Sequence, residues 1–431
     1  MYRKITQALG QWRTSAYRKP LILQGARQVG KTYSVLEFGR SHYENVAYFN
    51  FETDPAALKL FEGNISPETL VPALSYLSGQ TIVREKTLII FDEVQLGERA
   101  LTSLKYFCEQ APEYHIIACG SLLGVAVNRK QYAFPVGKVD FLTMYPMDLE
   151  EFLLALGDAY LVEQIKAHFA DDTPMPQPLH EAALARYRQY LIVGGMPEAV
   201  KQFAETGDYY LIRNTQNAIL TSYLNDMSKY NEPNDIKKTH LTYNSITAQL
   251  SQKNTRFRYK LVKSGGRAAA FENAIEWLVL SGVVLRLFAA DQMKRPLANY
   301  VNIDDFKIYM SDSGLLTAKY QVRADDILFM SDGLNDFKGG MTENYVQTQL
   351  VAAGYTTYYW HAESSLEIDF LIEREGDIIP IEVKAGDNTR SRSLNTYIKR
   401  FQPAYAVRLS TKNFGFEDGK KSVPLYAAFC L

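Results

Sequence analysis

Along the first 145 residues, short apolar runs alternate with stretches of helical spacing. Pro20-Leu21-Ile22-Leu23-Gln24, Val46-Ala47-Tyr48-Phe49-Asn50-Phe51, Thr87-Leu88-Ile89-Ile90-Phe91 and His115-Ile116-Ile117-Ala118-Cys119 predict buried strands. Residues 139–144, ended by Pro146, predict a fifth. Apolar strands separated by helical segments are the pattern of a parallel sheet wrapped by helices. Residues 147–170 turn helical, and 171–178, with two acids and three prolines, predict an exposed linker. Gly194-Gly195-Met196-Pro197 predicts a turn between helices rather than a catalytic element. Residues 241–251 and 267–281 read as short helices, followed by a strand at 283–287. Beyond a helix over 341–352, residues 366–372 and 378–384 alternate as strands joined by a hairpin turn at 373–377. A chain of 431 residues carries a prior of about three domains, and the pattern divides it at 1–150, 151–330 and 331–431.

The first strand runs into Gly25-Ala26-Arg27-Gln28-Val29-Gly30-Lys31-Thr32, which fits G-x-x-x-x-G-K-[ST] in the strand–loop–helix setting that motif needs. Its glycines let the backbone turn N–H groups onto phosphate oxygens at a helix N-terminus. Lys31 is placed for the β- and γ-phosphates of a nucleoside triphosphate, and the Thr32 hydroxyl for Mg²⁺. A second strand ends in Asp92-Glu93. Ligands gather outside the carboxyl ends of parallel strands, so Asp92 should converge with the loop as a Mg²⁺ partner. Glu93 would orient or deprotonate the attacking water, and this second acid favours hydrolysis over binding alone. A third strand ends in Gly120-Ser121, where Ser121 is a candidate sensor of the γ-phosphate.

Together these segments resemble AAA+-type ATPases. Gly-Ala-Arg-Gln-Val-Gly-Lys-Thr, Phe-Asp-Glu-Val-Gln and Cys-Gly-Ser-Leu-Leu-Gly look like one bacterial and archaeal group of AAA+-like ATPases with a further C-terminal region. Tyr190-Leu191-Ile192-Val193-Gly194-Gly195-Met196-Pro197-Glu198 is similar to the signature that opens that region. The resemblance implies a P-loop NTPase sheet domain, a helical or winged-helix middle and a nuclease-like tail. It also implies homo-oligomeric assembly with an arginine from a neighbour, for which Arg129 is the nearest candidate past Ser121.

Residues 236–271 hold eight basic side chains and no acid. Helix–turn–helix plus strand is the outline of a winged helix, and a local +8 in a chain of net charge −1 is the footprint of phosphate-backbone contact. Lys253, Arg256, Arg258, Lys260, Lys263 and Arg267 are therefore the DNA-contact candidates. A basic face packed on acidic neighbours is the competing reading.

In the tail, residues two apart on a strand share a face, so Glu367 pairs with Asp369 and Glu382 with Lys384. Glu343 can join them from its helix. The set resembles the PD-(D/E)xK nuclease core, which implies an α/β restriction-endonuclease-like domain. Glu343, Asp369 and Glu382 are then expected to hold Mg²⁺ or Mn²⁺, and Lys384 to stabilise developing charge. A tail that keeps the fold without the chemistry, in an ATP-dependent switch or nucleic-acid-binding regulator, is the alternative.

Composition narrows the setting. With 47% apolar and 22% charged residues the chain is globular rather than disordered. There is no secretory cleavage pattern at the N-terminus, and the most apolar stretch, 274–290, is too short to span a membrane. Three scattered cysteines argue for a reducing cytoplasm and against zinc or disulfides.

Overall fold

The computed structural model describes residues 1–121, 135–229, 231, 233–252, 256–330, 337–362, 366–386 and 392–431. Lys253 and Arg129, named above, lie outside them. The chain forms two compact units, one of residues 2–145 with 280–282, the other of 146–279 and 283–431 together with Met1.

In the first unit five parallel strands lie in the order β2-β3-β4-β1-β5: β1 Leu21–Gln24, β2 Asn45–Asn50, β3 Thr87–Asp92, β4 His115–Gly120 and β5 Asp140–Thr143. β3 and β4 are buried along their whole length, as their unbroken apolar runs require of strands covered on both faces. Phe51 stacks on Phe91 at 5.6 Å between ring centroids, and Phe61 meets Phe91 edge-on at 5.5 Å. This aromatic cluster fixes the end of β3 just before Asp92. Each such buried ring contributes on the order of 2–3 kcal/mol. Helix Lys31–His42 buries Val35 and Phe38 and places the loop at the carboxyl end of β1.

In the second unit β6 (Val284–Ala290), β7 (Val301–Met310), β8 (Tyr358–Ala362), β9 (Leu366–Arg374), β10 (Asp377–Val383), β11 (Ala406–Ser410), β12 (Gly415–Glu417) and β13 (Lys420–Pro424) form one mixed sheet. Its order is β12-β13-β11-β10-β9-β8-β6-β7. β9 and β10 are an antiparallel pair turned by Glu375 and Gly376, at φ 51° and 87°. That is the hairpin the alternation predicts.

The basic segment lies among helices Pro233–Leu250, Tyr259–Val262 and Ala268–Leu280, followed by the β6–β7 hairpin. The first helix starts eight residues before the expected 241, because Pro233 at its first turn has φ preset and no N–H to leave unpaired. The hairpin does not stand alone, since β6 also pairs in parallel with β8.

Most residues of the expected linker at 171–178 are exposed, and Met175 pins it. Between helices Ala159–Asp171 and Gln177–Val193, Met175 is buried and its backbone is bonded both ways by the Asn413 amide, at 2.9 and 2.8 Å. Lys421 reaches Asp172 at 2.9 Å. The prolines mark the helix break, but the apolar Met175 between them is what packs.

The Gly194-Gly195 turn has a structural explanation. A Cβ on Gly195 would lie 1.9 Å from the Met147 carbonyl oxygen, and one on Gly194 2.3 Å from Asp312 Oδ1. Buried Asp312 accepts from the Gly195 N–H at 2.6 Å and the Leu315 N–H at 2.8 Å. Burial pushes its carboxyl up to about 6, against an ordinary value near ~4. The folded chain therefore keeps this proton where the unfolded chain has released it, so the group disfavours folding progressively as pH rises from ~4 to ~6 and by a constant amount above. Relative to Asp312→Asn, wild-type stability should fall by roughly 3 kcal/mol across that window. Urea midpoints at a series of pH values measure it, and parallel profiles for the two proteins would contradict the assignment.

Candidate active site

β1, β3 and β4 are neighbours or next neighbours in one parallel sheet, so their carboxyl ends present the loop, Asp92-Glu93 and Gly120-Ser121 on one edge. Gly25 sits at φ 148°, and a Cβ there would lie 2.1 Å from the Met144 carbonyl oxygen. Only glycine lets the loop leave β1 so close to the segment after β5. Gln28 at φ 67° and Gly30 at φ 91° curl the loop into the backbone concavity that receives phosphate oxygens.

Lys31 is buried, and its ammonium donates to the carbonyls of Gly25 at 2.9 Å and Ala26 at 2.8 Å. Burial pulls its pKa down to about 8. An anion at the loop would reverse that desolvation cost. The Thr32 hydroxyl donates to Asp92 Oδ2 at 2.8 Å, and Tyr48 on β2 donates to the same oxygen at 2.8 Å. Two hard oxygens in contact at the foot of a phosphate loop suit Mg²⁺, which takes few protein ligands and keeps the rest as water and phosphate.

Glu93 has φ 52°, a left-handed conformation uncommon for a side-chain-bearing residue. Gln95 Nε2 donates to its carboxylate, and burial raises its pKa. Ser121 is buried at the end of β4. Arg3 and Tyr48 escape a motif search. Arg3 is mostly buried and braces the loop from outside, donating to the carbonyls of Val29 at 2.8 Å and Tyr145 at 2.7 Å. Tyr48 carried a signal, as the one hydroxyl within the apolar run 46–49; Arg3 carried none.

The tail residues also gather. Glu382 is bonded by Lys384 at 2.6 Å, while its other oxygen, Oε2, is buried without a hydrogen bond from the described residues. Asp369 accepts from the Val383 N–H at 2.7 Å. Burial, with Glu382 and Glu343 nearby, raises its carboxyl well above the ordinary carboxylate range. The spacing did not reveal the central cation, Lys307 on β7, which is fully buried and ion-paired with Glu343 at 3.5 Å and with Glu367. Burial alone would lower this ammonium, yet Tyr309, Glu343, Glu367 and Asp369 hold it well above its usual value. Glu343 also accepts from Tyr309 at 3.0 Å. Among the described residues no three His, Cys, Asp or Glu side chains close into a metal-holding group. Glu343 contacts Lys307 and Tyr309, while Asp369 lies within the charge of Glu382, Glu343 and Lys307.

Of the DNA-contact candidates, Lys260, Lys263 and Arg267 are exposed and Arg258 is half-buried. Arg256 instead forms an ion pair with Asp305, 2.7 Å from its Nε, and lies 3.1 Å from His361. Asp305 is supplied by β7, far along the chain, so no local pattern shows it.

Residues 17–153 match the family model described as AAA domain. Residues 184–326 and 338–428 match two models each described as a domain of unknown function, DUF8612 and DUF4143. The first unit thus carries a P-loop domain of the AAA type. No curated protein matches the chain. Among solved structures, a Walker-type ATPase of Pyrococcus abyssi is 14% identical, covering 73% of this chain and 94% of its own, with a TM-score of 0.44. The ORC2 protein of Aeropyrum pernix is 12% identical over 78% and 93%, at a TM-score of 0.34. The Thermotoga maritima RuvB Holliday junction branch migration motor is 11% identical over 66% and 90%, at 0.30. At these scores the overlays add nothing to what the residues show. Among the described residues no helix is long and apolar enough to cross a membrane.

Replacing Lys307 by Met should strip the ammonium from Glu343 and Glu367 and cost about 3–5 kcal/mol of stability at neutral pH. Urea unfolding measures this, and a loss under ~1 kcal/mol would show that the pairs are solvent-screened instead.

Proposed function

We propose that the chain binds Mg²⁺ and ATP at residues 25–32, hydrolyses the γ-phosphate bond and couples that turnover to binding DNA. The carrying observation is the Thr32–Asp92 contact at 2.8 Å, with Glu93 the next residue along. In this reading the loop N–H groups and Lys31 hold the phosphates, Thr32 and Asp92 hold Mg²⁺, and Ser121 meets the γ-phosphate. Bound Mg²⁺ would neutralise charge on the β- and γ-oxygens. Glu93, its pKa raised by burial, orients the attacking water and takes its proton.

For DNA, the helix, short helix, helix and hairpin over residues 233–310 support a winged-helix reading. Exposed Lys260, Lys263 and Arg267 supply phosphate contacts in it. Removing those three should flatten the dependence of log affinity on log salt by about three units. The tail has two readings. Metal-dependent cleavage is favoured by the orphaned Glu382 Oε2 and the proton-retaining Asp369, with Lys384 beside them. A tail that only binds is favoured by Lys307, which already neutralises Glu343 and Glu367. Nicking of plasmid DNA with Mn²⁺ by wild type and not by Asp369→Ala selects the first; no nicking by either selects the second. The free cysteines at 108, 119 and 430 fit a cytoplasmic setting, and the resemblance to AAA+ proteins supports a homo-oligomer.

Lys31→Ala should abolish nucleotide binding. Glu93→Gln should bind ATP like the wild type yet turn over about 10²- to 10⁴-fold more slowly. Steady-state phosphate release and thermal shifts with ATP report the two, and equal ATP-induced shifts in wild type and Lys31→Ala would remove the ATP site from residues 25–32.

A further inference from the structure

The second unit contains a cavity of about 920 Å³ that none of the chemistry above uses. It lies among helices Tyr209–Lys229, Pro233–Leu250 and Ser313–Lys319 and the turn after the last of them. Its charged lining is unbalanced. Arg213, Lys319 and Arg323 face it, whereas Asp325 is the one acid among the described lining residues and it is paired with Arg323 at 3.3 Å.

Among the described residues, two of these cations have no carboxylate to answer them. Arg213 donates through Nη2 to the Val322 carbonyl at 2.9 Å, but its Nη1 is buried without a hydrogen-bond partner among the described residues. Lys319 lies 3.9 Å over the Tyr243 ring and 3.2 Å from the Asn244 amide oxygen. Burial draws the Arg213 pKa down, and that of Lys319 to about 8. Tyr243 is 1% exposed, and its hydroxyl is likewise buried without a hydrogen-bond partner among the described residues. An unmatched guanidinium N–H and a phenol O–H buried beside the cavity each carry a desolvation penalty of about 1–3 kcal/mol. Cations left unpaired there are tolerated best if an anion visits them. The remaining walls, among them Tyr209, Leu220, Leu224 and Val322, are aromatic or aliphatic, as in cavities that enclose an organic body and fix it by a few polar groups.

We propose that this cavity binds a small organic anion, a carboxylate or phosphate on an aromatic or aliphatic body, through Arg213 and Lys319. The site is separate from residues 25–32 and does not depend on the ATP reading.

The test uses the full-length chain carrying Lys31→Ala, so that a phosphate probe has no P-loop lysine to engage. Phenyl phosphate, benzoate and neutral benzyl alcohol are titrated calorimetrically. One or both anions should bind at least about tenfold more tightly than the alcohol, the first arm identifying phosphate and the second carboxylate as the preferred group. Adding Lys319→Gln or Arg213→Gln should weaken the preferred anion about tenfold or more while leaving benzyl alcohol unchanged. Lys319→Gln decides the matter if Arg213→Gln fails to fold, since Arg213 also holds the Val322 carbonyl. Absence of binding by both anions, equal affinity for the alcohol, or an unchanged anion affinity in Lys319→Gln would overturn the proposal.

Discussion

The 2.8 Å hydrogen bond from Thr32 to Asp92 joins residues sixty positions apart, and it exists only because β1 and β3 run parallel with β4 between them. Reverse any of these strands and the loop and the acid leave the same edge of the sheet. The order β2-β3-β4-β1-β5 therefore does chemical as well as structural service. It brings an ammonium, a hydroxyl and two carboxylates to one edge, over a core of packed phenylalanines that holds β3 in register. Tyr48 and Arg3 complete the arrangement, one bonded to Asp92 and the other to the loop carbonyl of Val29.

Charge balance governs the second unit in the same way that sheet order governs the first. Glu343, Glu367, Asp369 and Glu382 share their neighbourhood with Lys307 and Lys384, so four acids face two ammonium groups. Asp369 retains its proton more strongly than an ordinary carboxyl, which is how a buried, over-acidic cluster relieves itself. A divalent cation would relieve it by another route, and the two readings of the tail differ in which route the protein uses. The helical part shows the opposite imbalance, with half-buried cations that lack an acid among the described residues. Both lie in segments matched only to domains of unknown function.

The first unit was legible because its chemistry is written in short, contiguous motifs. Residues 25–32 and 92–93 each sit at the end of an unbroken apolar strand, so motif and element predict one another. The hairpin at Glu375-Gly376 and the shared face of Glu382 and Lys384 were legible for a similar reason, strict alternation over a short span. What could not be read depends on partners far along the chain. Lys307 meets Glu343 and Glu367 across strands, Arg256 finds Asp305, and Met175 is held by Asn413; local spacing contains none of these. The two glycines at 194 and 195 looked like a simple helix stop. Their reason, the close approach of Asp312 and the Met147 carbonyl, appears only once the helices are packed.

In the proposed function Thr32 and Asp92 jointly hold the metal that accompanies the nucleotide. Affinity for ATP with Mg²⁺ and with excess chelator, compared in wild type and Thr32→Ala, tests it most directly. Mg²⁺ should tighten wild-type binding, and Thr32→Ala should lose most of this gain while keeping its metal-free affinity. An equal Mg²⁺ gain in both proteins would contradict it.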